Sequence, residues 1–454
     1  MQASHGLQPV FDDRNLVSHA GLAPVLALAE RAGLSELIGS CSSLPVANVA
    51  VKAWTVLAGM LAGADSIDDL NLLRAGGTAR VIGAVRAPST IGTFLRSFRH
   101  GHVLQLGKVN RLLLARLIAG VPTMTGTAGG LVMVDMDDTI REVHGYAKQA
   151  ATYGYSGVRG LNALVVTVTG QDAAPVIAEA SLRRGNVRSG DNAAHHLTRA
   201  LTTVRAVAPG RQVLTRADSA FCSYENVTTA LRHGAWFSFT IPQWKTVTAA
   251  IAGIPEGGWT RIEYPNAIYD EDTGEWVSDA EVAEVPFTAF VSRRKDEQVT
   301  CRLVVRRVKR LGEHADLGQA TLFDTWRYHA FITNSTLTTV EADRMHRGHA
   351  IVEQVIAELK NGPLTHLPSG KFAANAAWLQ FACLAHNLSR AAATAAGLGR
   401  ARMSTLLRVI VATPARLATT SRRLVMHLPA HWPWATAWTR LWDTATGPPG
   451  TATS

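Results

Sequence analysis

The stretch LVMVDMD, at residues 131–137, is the one on which the fold class depends. It is a short apolar run that ends in acids, a pattern typical of a buried strand with reactive side chains at its end. Further strands are predicted around residues 141–146 and 162–169, and residues 176–182 extend the same sheet. The sequence therefore predicts a sheet that begins near residue 131 with its most acidic strand.

Helices and strands alternate after this point. The pattern predicts a helix, a strand, a helix and a strand over residues 195–207, 211–217, 224–233 and 236–241. The resulting order, β-β-β-α-β-α-β, indicates an α/β protein with a mixed sheet and helices on both faces. It differs from the regular alternation of a doubly wound fold. We take residues 128–241 as the first part of this core.

The region before the core reads as helical. Residues 1–127 carry apolar side chains at three- and four-residue spacing, and a Gly/Thr-rich linker at 123–130 leads into the first strand. A small helical DNA-binding domain fits this pattern, and a plain helical bundle fits it equally well.

The region after the core is more varied. Residues 242–327 hold short alternating runs punctuated by Gly, Pro and Trp, which predicts a β-rich insertion. The core resumes over residues 328–400 with long helices predicted at 341–360 and 373–396. A basic tail at 401–454 carries a predicted β-hairpin.

Composition narrows the class of protein. The 454 residues include 45 Lys and Arg against 35 Asp and Glu, only eight of the basic residues being lysine, and the mean hydropathy is +0.07. An excess of arginine suits bidentate contacts with phosphate, although genomic GC bias raises arginine as well. No apolar run is long enough to span a membrane, and the four cysteines form no CxxC pair. We expect a soluble, cytoplasmic, nucleoid-associated protein with DNA as its partner and no membrane contact.

Acidic residues in three places of the sequence are candidates for a metal site. Asp135, Asp137 and Asp138 end the first strand, Asp218 follows the strand at 211–217, and Glu353 lies on the helix at 341–360. Carboxylates at strand ends and on a facing helix can hold two hard divalent cations, which activate water and stabilise the leaving oxygen of a phosphodiester. Alone, each acid would be an ordinary solvated carboxylate.

The predicted helix at 341–360 places four polar side chains on one stripe. At about 100° per residue, His346, His349, Glu353 and Lys360 fall within one narrow sector beside an apolar face. An alternative interpretation is a single transition-metal site formed by His346, His349 and Glu353, but no HExxH motif accompanies them.

These segments resemble a known family, the bacterial insertion-sequence transposases with an RNase H-like Asp-Asp-Glu active site and a β-rich insertion before the glutamate. The resemblance rests on VDMDDTIREVHGYAKQAATYGYSGVRGLNAL, SLRRGN, TRADSAFCS, YHAFITNS, HRGHAIVEQVIAELKNG, KFAANAAWLQFACLAHNLSR and RLATTSRRLVMHLP. The diagnostic helix of the family reads Tyr, two residues, Arg, three residues, Glu, six residues, Lys. Glu353 and Lys360 fit that spacing, and His346 and His349 occupy the Tyr and Arg positions.

Residue by residue, the resemblance implies metal ligands at Asp137, Asp218 and Glu353, with Asp135 as an alternative to Asp137. It implies Mg²⁺ or Mn²⁺ as two bound ions, and a phosphate contact at Lys360. The Arg184-Gly185-Asn186 loop would support the site or touch DNA. His346 and His349 would lie beside the phosphate backbone, and neighbouring Arg347 could compensate for the missing arginine.

The implied activity is DNA transposition. Such a protein binds terminal inverted repeats, cleaves DNA and joins the 3′-OH ends to target DNA, as a homodimer in the DNA complex. In this type of transposase the insertion is associated with hairpin formation on a DNA end. The alternatives are a domesticated or inactive DNA-binding protein with the same fold, and a metal-dependent nuclease without strand transfer.

Overall fold

The computed structural model describes residues 7–126, 129–262, 268–270, 275–277, 280–309 and 326–447. Residues 127–128 of the predicted linker, several stretches of the predicted insertion and the end of the tail lie outside the described residues. Within the described part of the chain, no helix is both long enough and apolar enough to cross a membrane. All four cysteines are free.

The strands are β1 to β15. Their bounds are Leu16–Val17, Val132–Glu142, Thr152–Tyr153, Arg159–Gly170, Val176–Arg184, Val213–Ala217, Trp236–Thr240, Thr260–Ile262, Ile268–Asp270, Glu275–Val277, Ala280–Ala289, Val299–Lys309, Trp326–Thr333, Ala415–Thr420 and Arg423–His427.

The α-helices are α1 to α14. Their bounds are Leu22–Arg31, Leu34–Cys41, Val49–Leu61, Thr78–Ile82, Pro88–Arg96, His100–Gly120, Ala193–Val207, Tyr224–Arg232, Lys245–Ala252, Thr339–Arg347, Ile351–Lys360, Phe372–Ala395, Met403–Leu406 and Ala435–Thr446. Local signals explain several of these ends. Pro88 occupies the first turn of α5, and the Ser223 hydroxyl accepts from the Asn226 N–H at the start of α8.

The central sheet is mixed, as the sequence predicts. Its order runs β5-β4-β2-β6-β7, with β2 antiparallel to β4 and parallel to β6, and β6 parallel to β7. Strand β4 is buried almost throughout because it lies between two neighbours in the sheet and between helices on its faces. Strand β6 ends at Ala217, level with Met136 of β2, so Asp218 follows the end of β6 beside Asp137, which lies in the middle of the longer strand β2.

The predicted β-rich insertion contains strands, and these strands continue the central sheet. Strand β13 pairs antiparallel with β7, and β12, β11 and β8 follow in order. The insertion also contains α9, which the alternating sequence pattern did not predict.

The N-terminal helices share one hydrophobic core with the sheet. Helix α12 is buried over nearly its whole length, with α3, α5 and α6 on one side and β5 on the other. Asn110 of α6 donates to the Gln380 carbonyl of α12 at 2.9 Å, a buried hydrogen bond that fixes the two helices relative to each other.

Three predicted elements differ from the structure. The strand expected at 141–146 is the end of β2, which continues to Glu142. In the tail, the hairpin is restricted to β14 and β15, and the apolar run before it is helical. The helix expected over 341–360 is two helices, α10 and α11, separated by a tight turn at Gly348–Ala350.

The interruption after α10 has a tertiary cause. The guanidinium of Arg216, on β6, donates to the Met345 carbonyl, which in a continuous helix would accept from the N–H four residues later. A Cβ at Gly348 would lie 2.7 Å from Arg216 Nη1, so glycine leaves room for this approach. Residues before and after the turn therefore face different directions.

Candidate active site

Asp135 is the buried acid of β2. Its carboxylate accepts from Arg216 Nε and Nη2, each at 2.7 Å, and lies 3.0 Å from His349 Nδ1. Burial by itself raises the pKa of Asp135, but the charge of Arg216 and the hydrogen bonds from His349 and Arg216 together hold it below its ordinary value. Asp135 is thus a carboxylate that is already fully paired by protein groups.

Asp137, two residues further on, lies on the same face of β2 in a different environment. Within the described residues its carboxylate accepts one hydrogen bond, from the neighbouring Asp138 N–H at 2.7 Å. Burial raises the pKa of Asp137 to about 6, and the negative charges of Asp218 and Asp138 act in the same direction. The hydrogen bond from the Asp138 N–H and the charge of His349 oppose this shift without cancelling it. The charged form of this carboxyl is therefore disfavoured by its surroundings.

Asp218 is the corresponding acid of β6. It follows the last residue of the strand and caps a short turn by accepting from the Ala220 N–H at 3.0 Å. Desolvation raises the pKa of Asp218, and His349 opposes that shift. Because Asp218 also raises the pKa of Asp137, the two carboxyls lie within electrostatic reach of each other.

Asp138 faces the opposite side of β2, as strand alternation predicts. Its carboxylate accepts from the Arg183 guanidinium, from Asn162 Nδ2 at 3.0 Å and from the Ser189 hydroxyl at 3.1 Å. Asp138 is satisfied within the protein and ties β2 to β4 and β5.

Helix α11 runs alongside β2 in the same direction. Two contacts determine where α11 lies along β2. His349 Nδ1 is 3.0 Å from Asp135 Oδ1, and Lys360 Nζ is 3.5 Å from Thr139 Oγ1. Glu353, four residues after His349, is about 6 Å further along the helix, and Asp137 is about 7 Å along the strand from Asp135. Glu353 is exposed and lies at the level of Asp137.

In the structure, His346 does not lie on one helix face with Glu353, contrary to the prediction. The interrupted helix turns His346 toward the sheet, where its ring stacks on Phe331 with centroids 4.1 Å apart. Its two nitrogens lie 2.9 Å from the Ser238 hydroxyl and 3.0 Å from the Thr240 hydroxyl. Desolvation of the ring, with the nearby charge of His349, lowers the pKa of His346 to about 3. The predicted stripe is wrong at this residue because it assumed a continuous helix.

Arg347 also has a protein partner. Its Nε donates to Asp343 Oδ2 at 2.8 Å, and the other oxygen of this buried carboxylate accepts from Arg306. The alternative transition-metal site is not assembled either, because His346, His349 and Glu353 point to different surroundings. Among the described residues, no group of three His, Cys, Asp or Glu side chains lies close enough to hold a metal ion in the present arrangement.

The Arg184-Gly185-Asn186 loop lies beyond the acids in the direction in which β2 runs, with Arg184 level with Arg141, four residues along β2 from Asp137. Leu161 pairs with Arg184 on one side and with Arg141 on the other, so the end of β5 is level with the end of β2. Arg184 and Asn186 are exposed there. Gly185 is buried, and a Cβ on it would lie 2.1 Å from the Gly160 carbonyl oxygen, so this position requires glycine.

The acids around the end of β6 suit a divalent cation. In the described part of the chain, no Lys or Arg forms an ion pair with Asp137, Asp218 or Glu353, whereas Asp135 and Asp138 are each paired with arginine. Carboxylate oxygens are the ligands that Mg²⁺ and Mn²⁺ prefer. Asp137 and Asp218 therefore fit the first two ligands, and Glu353 is at the right level of α11 to supply a third.

The family described as transposase DDE domain group 1 matches residues 3–445 of the chain. The chain belongs to this family. DDE transposases are metal-dependent enzymes of DNA cleavage and transfer, and membership confirms the resemblance to insertion-sequence transposases. The mixed sheet and its flanking helices are those of the RNase H-like fold of this DDE family. A search of curated proteins returned no match.

The sequence pattern did not identify Arg216, the residue that makes Asp135 differ from Asp137 in this DDE transposase. Arg216 is in register with Asp135 across the parallel pair β2 and β6, and this pairing leaves Asp137 as the acid with no arginine partner. A signal was available, since Arg216 and Asp218 lie two residues apart at the end of β6, as Asp135 and Asp137 do on β2. The pattern of opposite charges at matched positions predicts such a pair once the strands are aligned.

Proposed function

We propose that this protein is a DNA transposase that binds the terminal inverted repeats of its own element, cleaves the DNA and joins the 3′-OH ends to target DNA. The observation that carries the proposal is the state of Asp137 and Asp218, two neighbouring carboxyls with raised pKa and no arginine or lysine partner among the described residues. Acids of this kind are a cost to the folded protein unless a cation compensates them.

The proposed metal ligands are Asp137, Asp218 and Glu353, holding two Mg²⁺ or Mn²⁺ ions. When bound, such ions activate the attacking oxygen and stabilise the leaving oxygen of a phosphodiester. The rest of the protein must hold these ligand side chains in position. Asp135 holds Arg216 and His349 in place behind Asp137, and the Arg183–Asp138 pair anchors the other face of β2.

Glu353 must move to join the other two, because the three side chains are not grouped closely enough to hold an ion together in the described part of the chain. Its helix is attached to β2 at both ends by His349 and Lys360, and both contacts involve side chains that can also reach phosphate. We propose that DNA binding draws Lys360 toward a backbone phosphate, and that α11 then brings Glu353 toward Asp137. The exposed position of Glu353 leaves its carboxylate available for this step.

The proposed DNA contacts lie around these acids. They are Lys360 at the end of α11, His349 in the turn before α11, and Arg184 and Asn186 at and after the end of β5. The net charge of +10 supports a polyanionic partner. His346 and Arg347 have other partners in the structure and are left out of this proposal. Because an element has two ends to be joined, we propose a homodimer in the DNA complex.

A strand-transfer assay with the element's own ends tests this proposal. Wild-type protein with Mg²⁺ or Mn²⁺ is expected to cut at the 3′ ends and to join them to a target plasmid. Asp137→Asn, Asp218→Asn and Glu353→Gln are each expected to abolish both products while retaining DNA binding. Asp68→Asn, at an exposed acid outside the site, is the matched control and should retain full activity.

The outcomes separate the alternatives. Cleavage without joining would make the protein a nuclease, and specific end binding without cleavage would make it a domesticated DNA-binding protein. Wild-type cleavage by Asp218→Asn would remove the proposed ligand set. Activity in Asp137→Asn with none in a folded Asp135→Asn protein would move the first ligand to Asp135.

A further inference from the structure

A second site is suggested by a cavity of about 660 Å³ on the other side of α11 from Glu353. It lies between the start of β2, the turn after β4, the α10–α11 junction and the buried helix α12. None of the proposed metal ligands lines it. Its size is within the usual range of small-molecule pockets, and its walls combine an apolar surface with a few polar groups.

One of the buried polar residues that line the cavity is Arg390 of α12. Its side chain is only 5% exposed, and its Nε and Nη2 have no hydrogen-bond partner. The nearest carboxylate is Glu358, with Oε2 3.7 Å from Arg390 Nη2. Burying guanidinium N–H groups without a hydrogen bond is costly, so binding of an acceptor by this side chain would be favourable.

His386, one turn before Arg390 on α12, supplies a hydrogen-bond acceptor beside the donors of Arg390. Its Nε2 is 3.1 Å from the Pro175 carbonyl, so that nitrogen is the donor and Nδ1 is the acceptor. Nδ1 is buried without a hydrogen-bond partner, and Glu358 is 3.8 Å away. Arg390, His386 and Glu358 together offer both donors and acceptors within one small area. This combination suits a heterocycle whose edge carries both N–H and C=O or ring-nitrogen groups.

The mouth of the cavity is cationic. Arg344 and Arg402 are exposed on it, and neither has an ion-pair partner among the described residues. Arg400 is also at the mouth, but it is paired with Asp172 at 2.5 Å. Guanidinium groups at this position suit a phosphate. Leu131, Met133 and Val355 supply an apolar wall between the mouth and the polar floor.

We propose that this cavity binds a nucleotide. The base lies on the apolar wall with its edge against Arg390, His386 and Glu358, and the phosphate lies at the mouth with Arg344 and Arg402. The same chemistry is offered by a free mononucleotide and by the terminal nucleotide of a DNA strand. The site is independent of the proposed metal ligands, and nucleotide binding does not require the divalent cations.

Isothermal titration calorimetry in EDTA tests the proposal on the full chain. The probes are the deoxynucleoside monophosphates, the matching deoxynucleosides and inorganic phosphate. At least one monophosphate is expected to bind at one site per chain, about tenfold or more tighter than its nucleoside or phosphate alone, because only the nucleotide meets both ends of the cavity. Absence of binding for every monophosphate at millimolar concentration would overturn the proposal.

Two variants locate the site without disturbing the buried helix. Arg344→Ala combined with Arg402→Ala is expected to weaken the monophosphate about tenfold and to leave nucleoside affinity unchanged. Ala174→Phe, which fills the cavity from its wall, is expected to abolish both. Arg423→Ala, at an exposed arginine on the tail hairpin, is the control and should bind as wild type. Unchanged nucleotide affinity in both cavity variants would place the ligand elsewhere and overturn the assignment.

A 5′-phosphorylated trinucleotide identifies the source of the ligand. Tighter binding of the trinucleotide than of the mononucleotide, lost in Ala174→Phe, supports this site as a receptor for a strand end. Equal or weaker binding, with the mononucleotide still bound, supports it as a site for free nucleotide.

Discussion

Asp135 and Arg216 lie opposite each other on the parallel strands β2 and β6 and share two hydrogen bonds of 2.7 Å in a buried environment. The same guanidinium also donates to the Met345 carbonyl, in the last turn of α10. One arginine therefore pairs the inner acid of β2 and contacts the chain where α10 and α11 are interrupted. Its position leaves Asp137 without an arginine partner.

Substitutions at the two acids of β2 should have opposite effects on stability. Asp135→Asn leaves the Arg216 charge buried without its partner, and we expect it to reduce the free energy of unfolding by about 3–5 kcal/mol. Asp137→Asn removes a carboxyl whose surroundings disfavour its charge, and we expect stability to be unchanged or higher. Urea unfolding at pH 7.5 measures both. Equal losses in the two variants would contradict this distinction.

Divalent cations should stabilise the protein in the absence of DNA. If Asp137 and Asp218 bind Mg²⁺ or Mn²⁺, the melting temperature should rise with cation concentration, by an amount equivalent to about 2.7 kcal/mol when the cation is at 100 times its Kd. Asp137→Asn and Asp218→Asn should lose this response, and Asp68→Asn should retain it. A wild-type response in Asp218→Asn would show that the ions bind elsewhere.

Acid should destabilise the protein through His386. Burial, together with the charge of Arg390, lowers the pKa of His386 to about 3, so the folded state keeps the ring neutral while the unfolded chain protonates it near pH 6.5. The stabilisation is complete above pH 6.5 and is lost as the pH falls toward 3. Between pH 6.5 and 5 this amounts to about 2 kcal/mol.

The variant His386→Gln isolates this contribution. Urea unfolding at pH 7.5 and at pH 5 should show a smaller loss of stability in His386→Gln than in wild type, and His144→Gln, at a side chain that is 89% exposed, is the control. If His386→Gln loses as much stability as wild type over this interval, His386 is not the group responsible.

Replacing His346 or His349, which occupy the Tyr and Arg positions of the family's diagnostic helix, by arginine should have different effects. His346→Arg puts a charge between Phe331, Ser238 and Thr240 and should destabilise the fold. His349→Arg puts a permanent charge beside the acids of β2, and we expect tighter binding of end DNA at pH 8, by about 1–3 kcal/mol if a charged hydrogen bond is gained. Fluorescence anisotropy and thermal unfolding measure the two effects. Unchanged DNA affinity in a folded His349→Arg protein would remove His349 from the DNA interface.

Much of the core could be predicted from local pattern. The apolar runs at β2, β4 and β5 and the alternation of helices and strands after them are determined by residues close in sequence, and the predicted α-β-α-β order is observed as α7, β6, α8 and β7. Before α7 the three long strands are β2, β4 and β5, because the strand predicted at 141–146 is only the end of β2. The placement of Asp137 beside Asp218 could be expected from the same local pattern, although β2 continues past Asp137 to Glu142. Strand alternation alone could not distinguish Asp135 from Asp137, because the two side chains lie on one face.

Contacts between distant residues account for what was missed. The turn between α10 and α11 depends on Arg216, more than a hundred residues earlier, and no helical period within 341–360 carries that information. The nucleotide cavity likewise gathers side chains from β2, from the turn after β4 and from α12. Such features follow from packing, which the sequence pattern of one segment does not contain.

The insertion has a consequence for the solubility of shortened chains. Strand β12 pairs with β13 along all eight residues from Trp326 to Thr333. A chain trimmed of the insertion would keep β13 but would leave its outer row of backbone N–H and C=O groups open to any other strand. Such an edge is a template for self-association. The strands of the insertion therefore also protect the central sheet from self-association.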